Sequence, residues 1–234
     1  MNSVEYQMSI GSARALHLAA QGLLAAPHKK AKKDDLLACI KQMAALQIDT
    51  INIVARSPYL VLWSRLGQYD ISWLDELLKE KKIFEYWSHE ACFLPIEDFG
   101  LYRHQMISPH GLGWKYNQRW LNENTHEVEK IKQYIQQYGA CRSADFERTD
   151  GKSGGWWEWK PEKRALELLF TTGELMVAER QKFQRVYDLR ERVHPDWNDA
   201  IHLEQNLDCQ RKLVLKAIRA LGICKANWVS DYFR

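Results

Sequence analysis

Twice along this chain, helical periodicity gives way to a pair of short strand-like runs. That repeated change of period limits the available folds more than any other feature. Ile83 to Trp87 and Ala91 to Leu94 flank a turn near Ser88-His89 and follow helical segments, so they read as a hairpin. The order returns after Pro161. A helix through Ala165, Leu166, Leu169 and Phe170 is stopped by Gly173, and Leu175 to Ala178 with Phe183 to Tyr187 form a second hairpin. Helices followed by a small two-stranded wing are the layout of a winged helix, a relative of the helix-turn-helix. The expected fold is mainly α with small β-hairpin wings, in tandem winged-helix modules. A first module covers 9–115, a linker helix and second module cover 116–195, and a third begins at 196–234.

Ser9 or Ser12 can cap a first helix to about Ala25, where Pro27 and a basic run end it. Asp34 and Asp35 open a second, with Leu36, Ile40, Met43 and Ala44 at helical spacing. From Leu46 the pattern alternates: Leu46, Ile48, Ile51 and Ile53 are apolar, with a phase slip at Thr50, and the run reads as a strand with a bend. Ser57-Pro58 reads as a cap and first turn of a helix ending at Gly67, and another helix spans Ser72 to about Lys81. A long helix is expected over Asn117 to Tyr138, and a flexible loop over 150–155. In the last segment Leu203, Leu207, Leu213, Ile218 and Leu221 are spaced for burial, yet the module is unfinished. Apolar surface there is expected to be exposed or covered by a neighbouring chain.

The 46% apolar and 27% charged composition describes a soluble globular protein, and no apolar run approaches a membrane span. The N-terminus lacks the pattern of a secretory signal. The scattered, odd set Cys39, Cys92, Cys141, Cys209 and Cys224 holds no C-x-x-C pair, which fits reduced thiols in the cytoplasm and no zinc site. A net charge of +3 is too weak to argue for a polyanion partner. Local clustering says more: His28, Lys29, Lys30, Lys32 and Lys33 can neutralise phosphates, or simply form a solvated loop.

Several motifs fail on inspection. Gly151-Lys152-Ser153 ends like a phosphate loop, but Phe146 stands where the first glycine is required. Gly111-Leu112-Gly113 lacks the third glycine of a dinucleotide loop. His89-Glu90 lacks the second histidine of a zinc protease, since Phe93 occupies that place.

Gln47 and Asp49 remain. Two apart on a strand, they face one way, while Leu46 and Ile48 anchor the other face. A carboxylate can activate or orient a water and an amide can hold that water in place. Equally, Asp49 can cap a turn and Gln47 be merely exposed.

The run from Leu46 through Gln47, Ile48, Asp49, Arg56, Ser57 and Pro58 to Leu60 resembles the YcaQ/AlkZ family of winged-helix DNA glycosylases, most of all its YcaQ (AlkX) branch. So do Glu85 to Phe93, Gly155 to Pro161 and Phe183 to Leu189, in the same order. The resemblance implies removal of N-alkylated purines, notably N7-alkylguanine, from double-stranded DNA, and unhooking of interstrand crosslinks. It implies a Gln-apolar-Asp signature at Gln47 and Asp49 as the catalytic pair. It further implies a C-terminal β-barrel, for which this sequence has no counterpart before Arg234. The chemistry calls for no metal and no organic cofactor, and a monomer without a membrane partner is expected.

Other candidates for DNA contact carry two readings each. Arg56 can meet DNA or form a structural ion pair. Arg180, Lys182 and Arg185, on or beside the second wing, can meet phosphates or decorate a solvated hairpin. His89 can approach DNA from the first hairpin or serve the structure. Trp156, Trp157 and Trp159 read as packing rather than base stacking. A winged-helix transcription regulator is the alternative function; it needs an exposed recognition helix and makes no use of Gln47 or Asp49.

Overall fold

The computed structural model describes residues 7–27, 29–147 and 159–233; His28, the 150–155 loop, Trp156 and Trp157 lie outside them. The chain opens with α1 (Ile10–Ala20) and α2 (Lys33–Met43). The Ser9 hydroxyl caps α1 by accepting from the Ser12 amide at 3.0 Å. α1 stops short of Ala25 because Gly22 takes a left-handed φ of 69°. At the start of α2 the Asp35 carboxylate accepts from the Lys32 amide at 2.9 Å.

Then follow β1 (Leu46–Gln47), α3 (Ser57–Leu66), α4 (Ser72–Lys79), β2 (Ile83–Trp87) and β3 (Ala91–Pro95). β1 pairs antiparallel with β3, Leu46 opposite Phe93 and Gln47 opposite Cys92, which gives a sheet in the order β1-β3-β2. The strand expected to run on to Ile53 is cut short. The Ile48 amide still donates to the Ala91 carbonyl at 2.7 Å, but β3 begins at Ala91 and offers no partner beyond it. An alternating pattern holds a strand only where a ladder satisfies its backbone.

Next come α5 (Phe99–Ile107), a 3-10 run over Pro109–Lys115, α6 (Gln118–Glu123) and α7 (Thr125–Tyr138). The single long helix expected here is broken at Asn124, whose φ of −127° leaves helical space and whose side chain donates to the Trp120 carbonyl at 2.8 Å. α8 (Pro161–Thr171) carries its proline in the first turn. It ends before Gly173, at φ 68°, where a Cβ would lie 2.6 Å from the Met106 sulfur. β4 (Leu175–Gln181) and β5 (Gln184–Leu189) make the second sheet. α9 (Arg190–Val193), α10 (Asp199–His202), α11 (Asn206–Leu221) and α12 (Ala226–Tyr232) complete the order, so the fold is mainly α with small antiparallel sheets.

One apolar core runs through both helix–hairpin units. All five residues of β2 are buried, so the first hairpin packs into the core. Tyr86 and Trp87 set their rings 5.6 and 5.7 Å from that of Phe170 on α8. The Tyr86 hydroxyl donates to the Thr171 carbonyl at 2.6 Å, and the Trp87 indole to the Thr171 hydroxyl at 3.0 Å. Truncating a ring such as Phe170 would cost about 3–5 kcal/mol. At the other end, α11 buries Cys209, Ala217, Ala220 and Leu221 but exposes Leu207, Val214, Leu215 and Ile218. All five cysteines are free thiols. No helix among the described residues is long and apolar enough to cross a membrane.

Candidate active site

Pairing of β1 with the start of β3 turns Leu46 and Ile48 into the core and leaves Gln47 and Asp49 exposed. Ser57, expected as the cap of α3, does something else. Arg56 takes the cap position, and the Ser57 hydroxyl reaches back across the loop. It donates to the Gln47 carbonyl at 3.4 Å and accepts from the Asp49 amide at 3.2 Å, so it clasps both ends of the motif. One oxygen of Asp49 accepts from the Ile51 amide at 2.9 Å, an Asx turn that fixes the carboxylate's direction. Among the described residues, no cation pairs with Asp49.

An open cleft of about 510 Å³ begins at this segment, with Ile48, Thr50 and Ala91 on its near wall. Lys160, Lys163 and Glu167 come from the α8 region, and Arg180, Phe183, Arg185 and Tyr187 from the second hairpin. The cleft therefore lies where the two units meet, with cations on its far wall.

Most of that charge is answered locally. Glu85 on β2 is fully buried and accepts from Arg180 at 2.8 Å and from Arg185. Burial alone would push its carboxyl up; the Arg185 and Arg180 charges and their hydrogen bonds together outweigh this and hold it below the usual carboxylate range. Arg185 also meets Glu167 at 2.8 Å, and Tyr187 donates to the same carboxylate at 3.1 Å. The expectation that Arg180 and Arg185 reach phosphates from a free wing is corrected here. Both guanidiniums turn inward, because a buried carboxylate between them would otherwise be left unpaired.

The hairpin tip is Lys182-Phe183, both in the left-handed region at φ 50° and 67°. A two-residue turn of this kind matches the twist of the strands. Phe183 lies between two guanidiniums, Arg56 at 4.1 Å and Arg180 at 4.4 Å from its centroid, which docks the tip on the chain leaving the motif. Arg56 thus stacks on an aromatic ring, and no ion pair holds it among the described residues. Lys182 is exposed at the tip.

Ile48 and Thr50 line the cleft while Gln47 and Asp49 do not, and the remaining candidates are not brought to it either. Lys29 pairs with Asp35 at 2.8 Å, and Lys33 with Glu76 and Glu80 at 2.8 and 2.5 Å. Lys30 and Lys32 are exposed. His89 donates from Nδ1 to the Asp231 carbonyl at 3.2 Å, a tie to α12. Trp159 is exposed, with the Lys163 ammonium 4.2 Å from its ring.

On α4 the exposed Glu76, with Glu80 just beyond, is paired with Lys33, and Lys79 reaches Glu179, so these charges are answered within the protein. α8 buries Ala165, Leu166, Leu168, Leu169, Phe170 and Thr171. Sequence reasoning missed Glu85, Glu167, Lys163 and Phe183. A charged residue inside the aromatic run Phe84-Glu85-Tyr86-Trp87 was a usable sign of a buried ion pair.

The profile described as DNA glycosylase AlkZ-like matches residues 40–234, a span that begins before Gln47 and Asp49. The structure is similar to that of the Streptomyces sahachiroi DNA glycosylase AlkZ, with a TM-score of 0.60 at 10% identity. That match covers 97% of this chain and 65% of the other, so this chain spans less than two thirds of its relative's length. At such low identity the likeness speaks for the fold. With the profile running through most of the sequence, the chain belongs to the AlkZ-like DNA glycosylase family.

Proposed function

We propose that this chain carries the hydrolytic site of a DNA glycosylase that releases N-alkylated purines, N7-alkylguanine above all. The reading rests on one observation: Gln47 and Asp49 are exposed on the segment whose alternate residues Ile48 and Thr50 line a cleft with basic groups, and no cation pairs with Asp49 among the described residues. An ion-paired carboxylate would be poorly placed to answer a new positive charge.

Alkylation at N7 makes guanine cationic, so it leaves with the electron pair of the N9–C1′ bond and becomes neutral. The sugar acquires oxocarbenium character. The Asp49 carboxylate stabilises that charge and orients the attacking water, while the Gln47 amide fixes the water by hydrogen bonding. Water adds to C1′ and gives up a proton to Asp49 or to solvent. An aspartate at the third position of the signature is the YcaQ-type arrangement. An open cleft also suits a crosslinked purine, which cannot be fully extruded from the duplex, and unhooking of interstrand crosslinks belongs to the same proposal.

The test is single-turnover release of 7-methylguanine from duplex DNA by the wild-type chain and by Asp49→Asn. Release by the wild type with loss in the variant supports the reading. Equal release by both would return Asp49 to a turn carboxylate. Absence of release by the wild type would remove the activity from this chain.

A further inference from the structure

The loop that follows Asp49 carries an apolar tip. Ile51 is 66% exposed, Ile53 90% and Val54 88%, with only Asn52 between them. Trp114 and Ile201 are exposed singly, which is ordinary for a protein surface, and the apolar residues exposed on α11 are each less open, at 40–55%. Here three lie together in four positions.

The tip is held at its base and free at its end. The Ile51 amide is bonded to the Asp49 carboxylate, and Ser57 ties the Asp49 amide to the start of α3. Pro58 is buried and Arg56 is stacked on Phe183, so the returning limb is also fixed. The loop therefore projects from the same clasp that orients the carboxylate.

Distance along the chain then limits what the tip can touch. Ile53 is four residues beyond Asp49, a reach of at most about 14 Å. When Asp49 stands at the C1′ of a nucleotide, Ile53 lies within about four base-pair steps of it and Val54 within about five. A tip meant only for water or phosphate would be polar. Aliphatic side chains at that range match the stacked bases beside the lesion, as in proteins that insert apolar wedges between base steps.

We infer that Ile53 and Val54 form a wedge that enters the base stack next to the alkylated nucleotide and exposes its C1′ to Asp49. The inference rests on the glycosylase reading for its substrate, but the wedge has a signal of its own. Unstacking at the lesion's neighbour gives access to the sugar without complete extrusion of the base. The Asx turn at the base of the loop sets the point from which the wedge leaves Asp49.

The experiment uses the full chain, with Ile53→Ser/Val54→Ser as the double variant. Both side chains are exposed, so an unchanged melting temperature and circular dichroism spectrum should accompany it. A duplex carrying 2-aminopurine beside 7-methylguanine reports unstacking by fluorescence. Wild type should raise the signal and the variant should lose most of that rise. The ratio of excision from duplex to excision from the same single strand should fall roughly tenfold or more, since a single strand has little stack to open. An undiminished fluorescence rise in the variant would overturn the wedge, as would no rise with wild type, or a duplex-to-single-strand ratio that does not change. Wild-type self-association abolished by the double variant would overturn it too, by making the loop a protein interface. If wild type raises fluorescence but releases no base, the wedge stands and the glycosylase reading falls.

Discussion

Glu85 and Asp49 are two carboxylates served by one sheet, and they meet opposite fates. In the register of that sheet, Glu85 on β2 lies opposite Phe93 on β3, which lies opposite Leu46 on β1. Glu85 thus shares the inward row and is wrapped by Arg180 and Arg185 from the second hairpin. Asp49 lies just past the end of β1, on the outward phase, and its carboxylate meets the Ile51 amide and no cation among the described residues. The difference teaches how this molecule divides its charge. Cations brought in from the second unit are consumed in joining the two units, whereas the exposed Asp49 carboxylate is left without one among the described residues.

The largest expected effect tests the first half of that contrast. Glu85→Gln leaves two guanidiniums facing a neutral amide inside the protein, which should cost about 3–5 kcal/mol of stability. Asp49→Asn, at an exposed position, should stay within about 0.5 kcal/mol of wild type. Urea unfolding of both variants checks this. Equal destabilisation would mean that Asp49 is a structural group like Glu85.

Reading the same pair by activity reverses the order. Asp49→Asn should slow release of 7-methylguanine by about 10²–10³, the usual loss for one electrostatic contributor to a charged transition state. Gln47→Ala should cost less, because positioning survives in part through Ser57, whose bonds go to backbone atoms of the motif. Asp49→Gln separates charge from positioning. If it releases base as fast as wild type, the negative charge is not what the site supplies.

How much of this was legible in the sequence depends on whether a neighbour in space was needed. The helix starts at Asp34-Asp35 and Pro161, the stop at Gly173 and both hairpins follow from local chemistry, and the structure has them. The outward phase of Gln47 and Asp49 was legible because two-residue periodicity needs only one buried side. What failed was non-local. The alternation at Ile51 and Ile53 could not reveal that β3 begins at Ala91 and leaves them without a ladder. Arg180 and Arg185 were read as wing cations because their partner Glu85 is about a hundred residues away in sequence. Lys182 is exposed at the turn, and no ion pair holds it among the described residues.

A pH titration sharpens the contrast at acid pH. Glu85 has a folded pKa below its ordinary 4.5, so its contribution is fully present above that value and is lost as pH falls through the lower folded one. Asp199 behaves in the same sense. Its hydrogen bonds from Arg103 lower it from 3.8 to about 2, outweighing partial burial. Wild-type stability should therefore fall below about pH 4.5 and keep falling towards pH 2. The stability gap between wild type and Glu85→Gln should narrow over the same range, and Asp199→Asn should flatten the lower part of the decline. A gap between wild type and Glu85→Gln that stays constant down to pH 2 would show that Glu85 is not ionised in the folded state.

The smallest expected effect lies at the tip of the second hairpin. Arg180 and Lys182 are two residues apart, yet Arg180 is paired with Glu85 while Lys182 stands exposed at the turn. If the tip borders the DNA path beside the cleft, Lys182 can displace one counterion from a phosphate. Lys182→Ala should then lower the slope of log affinity against log salt by about 0.9 and leave stability unchanged. Arg180→Ala should do the opposite, destabilising the fold by stripping Glu85 of a partner while changing the salt slope little, because its charge is already answered inside the protein. Duplex-DNA titrations at several salt concentrations, read beside urea unfolding, separate the two. A salt slope that falls for Arg180→Ala but not for Lys182→Ala would invert the division of charge argued above and make the inward-turned arginine the one that reaches DNA.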